Sequence, residues 1–331
     1  MNEAGPHRPR IASVPDNVCR PLWSVMIPAY HCASYLRATL QSVLAQDPGS
    51  DRMQIEVVDD CSTWDDPEAV VKEIGQDRVG FYRQPENVGV ARNFATCLQR
   101  ARGKLVHLLH GDDHVLPGFY RKLGEAFEAR SEVGAAFCRH LFIDQDGKCL
   151  SVSDLEQPVS GILENQLVRL AAEQRIMTPS IAVRREVYER LGGFDYRLIC
   201  SEDWEMWVRI AAHYPVWYEV EPLAAYRMHM NSNTGRHLRT GEDMRYTRLA
   251  IDMFESYLPK EIAASTCRRA RQTYALAALQ TAGAMLEARD WQAMAVQMRE
   301  ALGFSRSSRV LRQALKLLIR AAPKIAGVSG T

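Results

Sequence analysis

The chain has 331 residues, enough for one large domain or two ordinary ones with a buried core. Charged residues make up 24% of it and nearly cancel to a net charge of +1, so the overall charge does not point to nucleic acid or to acidic partners. Its 8 cysteines show no C-x-x-C pair or metal-ligand spacing and read as reduced, mostly buried thiols of a cytosolic protein.

Residues 1–20 are polar and lack the apolar centre of a secretory signal, and they read as a flexible N-terminal segment. The run at 22–27 is a strand closed by Pro28, followed by Tyr35, Leu36, Leu40, Val43 and Leu44 at helical spacing. A second strand, 55–58, ends at Asp59 and Asp60, and Pro67 opens a helix to Ile74. A third strand fits 79–82. A loop at 84–89 and a helix at 90–102, stopped by Gly103, lead to a fourth strand at 105–109. Strands that are continuous apolar runs, alternating with helices, indicate a parallel sheet covered on both faces.

Beyond Pro117, placed at the first turn of a helix, the order loosens. Strands are expected around 134–143, helices near 162–172 and 184–191, a helix at 202–213 with Trp204, Trp207, Val208 and Ala211 on one face, and strands at 216–220 and 223–226. From about 238 the periodicity is helical throughout. The last helix, 311–319, carries Arg312, Lys316 and Arg320 on its flank, which fits either an interfacial helix touching a membrane peripherally or one packed on its own domain. No apolar run reaches the roughly 18 to 20 residues of a membrane span.

The most informative stretch is His107-Leu-Leu-His-Gly-Asp-Asp-His114, where a strand-like run stops at two adjacent carboxylates. Asp112 and Asp113 there are either a solvated turn or a seat for a divalent cation bridging to a diphosphate. Pro28 to Tyr30, Asp59 with Asp60, and Asp112 with Asp113 all fall at the carboxyl ends of strands, the edge where ligands bind such sheets. That convergence favours the site.

Four segments, in this order, resemble family 2 glycosyltransferases, the large inverting group with the GT-A fold. They are Ser24-Val-Met-Ile-Pro-Ala-Tyr30 with its following helix, Glu56-Val-Val-Asp-Asp-Cys-Ser-Thr63, Asn87-Val-Gly-Val-Ala-Arg-Asn93 leading to Leu109-His-Gly-Asp-Asp113, and Gly192-Gly-Phe-Asp195 with Glu202-Asp-Trp-Glu-Met-Trp207 and Tyr226-Arg-Met-His229. The resemblance covers about 22–232. It implies a Rossmann-like, mainly parallel α/β sheet flanked by helices over 21–237, with a helical C-terminal region at 238–331.

It also implies roles. Pro28, Ala29 and Tyr30 line the nucleotide base, Asp60 accepts from a pyrimidine, and Arg92 faces the diphosphate, whereas Asp59 by itself reads as a turn stabiliser. Asp113 chiefly takes Mn²⁺ or Mg²⁺ and Asp112 the ribose, with the two exchangeable. Many relatives have Asp-x-Asp-Asp, but His110 stands at the first position here, and imidazole is a poor ligand for Mg²⁺. Asp203 is the expected catalytic base, tuned or oriented by Glu202, although acids at a helix start also simply complement its dipole. Arg227 and His229 fall on the strand-like segment after the base, where relatives place a group on the diphosphate or metal, and of the two His229 is favoured.

The implied activity moves a sugar from a nucleotide-diphosphate donor to a hydroxyl of a saccharide or lipid-linked acceptor, in cell-surface polysaccharide or glycan synthesis. The protein would be cytoplasmic or peripheral at the inner face of the membrane, and self-association is compatible with this. A nucleotidyltransferase is disfavoured by the missing Gly-rich, Lys-containing phosphate loop, and a dinucleotide oxidoreductase by the missing G-x-G-x-x-G. A catalytically degenerate nucleotide- or glycan-binding domain has His110 in its favour.

Overall fold

The computed structural model describes residues 7–229 and 239–326. The chain forms two compact units, residues 1–166 with 175–228, and residues 167–174 with 229–331. A segment from mid-chain joins the second unit.

In the first unit, β1 (Trp23–Ala29), α1 (Ala33–Leu44), β2 (Met53–Asp59), α2 (Pro67–Gly75), β3 (Gly80–Arg83), α3 (Val90–Arg100) and β4 (Leu105–Leu108) follow the alternation read from the sequence. Every residue of β1 and β2 is buried, as a strand covered on both faces requires. The polar exceptions are satisfied: Ser24 Oγ donates to Gln54 Oε1 at 2.6 Å and accepts from Gly103 N at 2.7 Å. Pro67 sits in the first turn of α2, with Asp66 capping it through Ala69 N.

The remaining elements are β5 (His114–Val115), α4 (Phe119–Ala129), β6 (Ala135–Ile143), β7 (Cys149–Val152), β8 (Gly161–Ile162), α5 (Gln166–Ala172), β9 (Ile181–Arg184), α6 (Arg185–Leu191), α7 (Glu202–His213) and β10 (Val216–Arg227). The sheet runs β3-β2-β1-β4-β9-β6-β10-β5, with β7 on β6 and β8 on β10. Pairing is parallel from β3 to β4 and between β6 and β10, but β9 lies antiparallel to both β4 and β6. The sheet is therefore more mixed than expected. The two strands expected at 216–220 and 223–226 are one, with register shifts around Pro222, which has no N–H for a ladder. Helix α4 begins after Gly118, so Pro117 precedes it instead of opening it.

Residues 7–20 were expected to be free, and the structure differs. Arg8 pairs with Asp195 and Glu205 at 3.2 Å, the Pro9 carbonyl accepts from Gly193 N, Arg185 donates to the Ala12 carbonyl, and Ile11 is buried. A single apolar residue and a buried ion-pair site suffice to dock a segment whose composition reads as a tail.

The second unit contains most of α5 together with α8 (Glu242–Phe254), α9 (Lys260–Glu287), α10 (Trp291–Phe304) and α11 (Ser308–Ala326). Among the described residues, no helix is long and apolar enough to cross a membrane.

Candidate active site

Three loops at the carboxyl ends of β1, β2 and β4 tie to one another through the backbone. The Ala29 carbonyl accepts from Asp60 N at 2.8 Å, and the Pro28 carbonyl accepts from Gly111 N at 3.1 Å. Pro28 and Ala29 are buried and hold these loops, which leaves Tyr30, 42% exposed, as the member of that trio presenting its side chain. Tyr30 packs on His31, and His31 stacks on Trp64 with ring centroids 4.1 Å apart. This three-ring shelf ends in Trp64, which is 68% exposed, a residue the sequence reading did not single out.

Asp59 does what a carboxylate after a strand commonly does: it accepts from Ser62 N and Oγ and pairs with Arg83 Nε at 2.8 Å. Asp60 is also buried, and its two oxygens accept from Val88 N at 2.8 Å and Gly89 N at 2.9 Å. Gly89 has φ +82°, a conformation other residues rarely adopt, and it leads into α3. Burial raises the Asp60 carboxyl above the usual range, with the two amides pulling the other way. Arg92, expected at the diphosphate, is exposed and stacks over the Tyr196 ring at 4.3 Å.

The carboxylates after β4 are held from several sides. Thr39 Oγ1 on α1 donates to the Gly111 and Asp113 carbonyls. A Cβ at Gly111 would lie 2.5 Å from Cys32 Sγ, so the loop requires glycine there. Asp113 is buried; its Oδ1 accepts from Arg227 N at 2.7 Å, and its Oδ2 has no hydrogen-bond partner. Asp112 is half-buried. Ligand atoms of His110, Asp112 and Asp113 lie within 4.8 Å of one another, the described group that could hold a metal ion. His229 follows β10, begins the second unit and is not in that group.

His110 Nδ1 is 3.4 Å from Asp113 Oδ2. Burial lowers the imidazole, but the bond and charge of Asp113, with Asp112 and Asp203 behind it, raise it overall to about 9. Burial raises Asp113, and His110 opposes that. Each partner favours the charged form of the other, an imidazolium facing a carboxylate. His107, by contrast, is a satisfied core residue: the Pro179 carbonyl accepts from Nε2 at 3.0 Å, so Nδ1 accepts from the Tyr120 hydroxyl at 3.2 Å.

Glu202 and Asp203 open α7, preceded by Ser201 at φ +62°. Thr178, in the turn before β9, donates to Asp203 Oδ2 at 3.2 Å. Glu202 is buried, and burial followed by the charge of Asp203 raises its carboxyl to about 8. Trp204 and Trp207 are core residues. An aromatic column runs from His110 through Phe94 and Phe194 to Trp207, with successive centroids 5.5, 4.9 and 6.0 Å apart, joining the carboxylate loop to α7.

Arg227 is the residue that sequence reasoning undervalued. It is the last residue of β10. Its Nε donates to the Asp112 carbonyl at 2.8 Å and its Nη1 to the Asp144 and Gln145 carbonyls, while the guanidinium lies over the Tyr35 ring. Thr178 carried no motif signal, since a Thr-Pro-Ser turn is common anywhere. Asp60, Asp112, Asp113, Glu202 and Asp203 belong to one unit, and the charges of Asp112, Asp113 and Asp203 all act on His110.

The mixed sheet with this carboxylate edge has the architecture of the GT-A fold. Residues 24–192 match the model of glycosyl transferase family 2, and the chain belongs to that family. A Mycobacterium tuberculosis protein is 29% identical over 236 residues, covering 68% of this chain and 72% of its own. A Methanocaldococcus jannaschii glycosyltransferase is 27% identical over 218 residues, covering 65% and 73%. Among solved structures, S. aureus TarS 1-349 in complex with UDP-GlcNAc aligns with a TM-score of 0.64 at 15% identity, covering 87% of this chain and 91% of that one. Mannosyltransferase PcManGT from Pyrobaculum calidifontis in complex with GDP-Man and Mn²⁺ aligns with a TM-score of 0.54 at 20% identity, covering 88% of each. At such identities the two structures speak to the fold.

Proposed function

We propose that the enzyme transfers a sugar, with inversion, from a nucleotide-diphosphate donor to a hydroxyl of a saccharide or lipid-linked acceptor, in cell-surface polysaccharide or glycan synthesis at the cytoplasmic side of the membrane. The observation that carries this reading is the clustering of His110, Asp112 and Asp113, whose ligand atoms lie within 4.8 Å of one another at the sheet edge. Asp113 Oδ2 is buried, makes no hydrogen bond and faces the charge of His110 at 3.4 Å, a place that a divalent cation can share or take.

Two carboxylates and one imidazole fit Mn²⁺ better than Mg²⁺, because Mg²⁺ prefers an all-oxygen shell. When bound at Asp113, with Asp112 and His110, the cation would neutralise charge growing on the departing diphosphate. His110 surrenders its proton if it ligates, which makes cation binding stronger as pH rises. His229 remains a candidate further ligand, from the family resemblance alone.

Tyr30, backed by His31 and Trp64, offers an aromatic face to a base. Each Asp60 oxygen keeps a second lone pair for a pyrimidine N–H while holding the 88–89 amides. Asp112 is assigned to the ribose and Arg92, from the resemblance, to the diphosphate. Of the two carboxyls on α7, burial and the neighbouring charge of Asp203 favour the protonated form of Glu202, and Asp203, the base that the family resemblance implies, takes the acceptor proton while the acceptor oxygen attacks opposite the leaving diphosphate. Thr178 orients the Asp203 carboxylate.

A thermal-shift screen of UDP, dTDP and GDP sugars with and without Mn²⁺ tests the donor assignment. At least one nucleotide should raise Tm, and more so with Mn²⁺. If no diphosphate nucleotide stabilises the protein under either condition, the assignment fails.

A further inference from the structure

Helix α11 (Ser308–Ala326) has three distinct faces. Val310, Ala314, Leu317 and Ala321 are buried, and Leu317 Cδ1 lies 3.9 Å from where a Cβ on Gly283 of α9 would be. This face docks the helix on its own unit, as one of the two readings of the sequence expected. Leu311, Leu315, Leu318 and Ile319 form a second face and are 47, 58, 50 and 65% exposed. Arg309, Arg312, Lys316 and Arg320 form a third, all exposed. At 3.6 residues per turn these sets occupy adjacent sectors of the cylinder, so the exposed apolar stripe is bordered by the packed face on one side and by the basic face on the other.

A helix already anchored by one face gains nothing in water from a second apolar stripe, because four large aliphatic side chains remain wet. A bordering row of cations adds the missing information. No Asp or Glu occurs between 308 and 326, and among the described residues only Arg320 of this row pairs with a carboxylate, Glu287 at 2.9 Å. We propose that the Leu311–Leu315–Leu318–Ile319 stripe, with Arg309, Arg312, Lys316 and Arg320 beside it, is a docking face for an anionic lipid bilayer. The aliphatic side chains enter the acyl boundary while the long basic side chains reach the headgroup phosphates. A second copy of the chain is a poorer occupant. Antiparallel pairing of the stripe with itself would set basic row against basic row, with no acid on either helix to answer it.

Bilayer binding is separable from transfer chemistry, so sedimentation of the full chain with vesicles tests it whether or not the donor assignment holds. Vesicles of phosphatidylcholine containing phosphatidylglycerol should pull the protein down, and those of phosphatidylcholine alone should do so much less. High salt should weaken the binding. Arg312→Gln with Lys316→Gln should lower binding by roughly tenfold or more, and Leu315→Ser with Ile319→Ser should abolish it. All four positions are exposed, so Tm should hold in both variants. No binding to the anionic vesicles, or undiminished binding by both variants, overturns the proposal. So does a concentration-dependent dimer in lipid-free buffer that Leu315→Ser with Ile319→Ser dissolves, since the stripe would then be a contact between copies.

Discussion

Residues 23–113 and residues 135–227 build the two halves of one sheet by different rules. In the first, the strands pair in parallel in the order β3-β2-β1-β4, and β1 and β2 are buried along their whole length. In the second, β9 inserts antiparallel between β4 and β6, and β10 bends at Pro222 to lie beside β6. The carboxylate site forms where the halves meet. From the first half come His110, Asp112 and Asp113; from the second come Thr178, Glu202, Asp203 and Arg227. The regular half offers a rigid ledge, and the irregular half brings over residues that face it. Substitutions at this seam either sharpen or break that division.

Arg227→Ala should have the largest effect on stability. It removes the guanidinium that bonds the Asp112 carbonyl in one half and the Asp144 and Gln145 carbonyls in the other. Losing several bonds made by a buried guanidinium should cost about 3 kcal/mol, read as a lower urea midpoint at unchanged m-value. Cation-dependent donor binding should weaken with it. Equal stability of the variant would mean the halves do not need this tie.

Gly111→Ala acts within the first half alone. Its new Cβ meets Cys32 Sγ, which should cost about 2 kcal/mol. Cys32→Ala should give back part of that loss in the double variant, a coupling that a purely conformational effect of alanine would not produce. The measurement is a double-mutant cycle of urea unfolding.

His107 gives the smallest effect. Burial lowers its imidazole from 6.5 to about 3 while the Pro179 carbonyl opposes that shift. The unfolded chain therefore takes up a proton below pH 6.5 that the folded chain refuses until near pH 3. Stability from this group is complete above pH 6.5 and is lost as pH falls, by about 1 kcal/mol between pH 7.5 and 5.5. His107→Asn should flatten that part of the stability profile. An unchanged slope would remove His107 from the account.

These sites also mark what could be read in the sequence. Asp60, Asp112 and Asp113 were legible because each stands where an apolar run stops, and the sheet edge follows from that pattern. Pro67 and the alternation of strands and helices were legible for the same local reasons. The pairing of β9 was not, because hydrophobic runs do not name their partners. Arg227 was not legible as a tie, because the Asp112, Asp144 and Gln145 carbonyls that it bonds lie far from it in sequence. Trp64 gave no signal because an exposed aromatic in a loop acquires meaning only when His31 and Tyr30 stack behind it. Residues 7–20 resembled a tail until the Asp195 and Glu205 carboxylates that receive Arg8 were in view.

Asp203 is proposed as the base that faces a cation and diphosphate seat built on Asp112 and Asp113. Turnover and donor binding of Asp203→Asn, measured side by side with Mn²⁺ present, test it most directly. Turnover should fall by about 10²- to 10⁴-fold while the Kd for donor stays within about threefold of that of the unaltered protein. Turnover at the original rate with donor still bound would contradict the account.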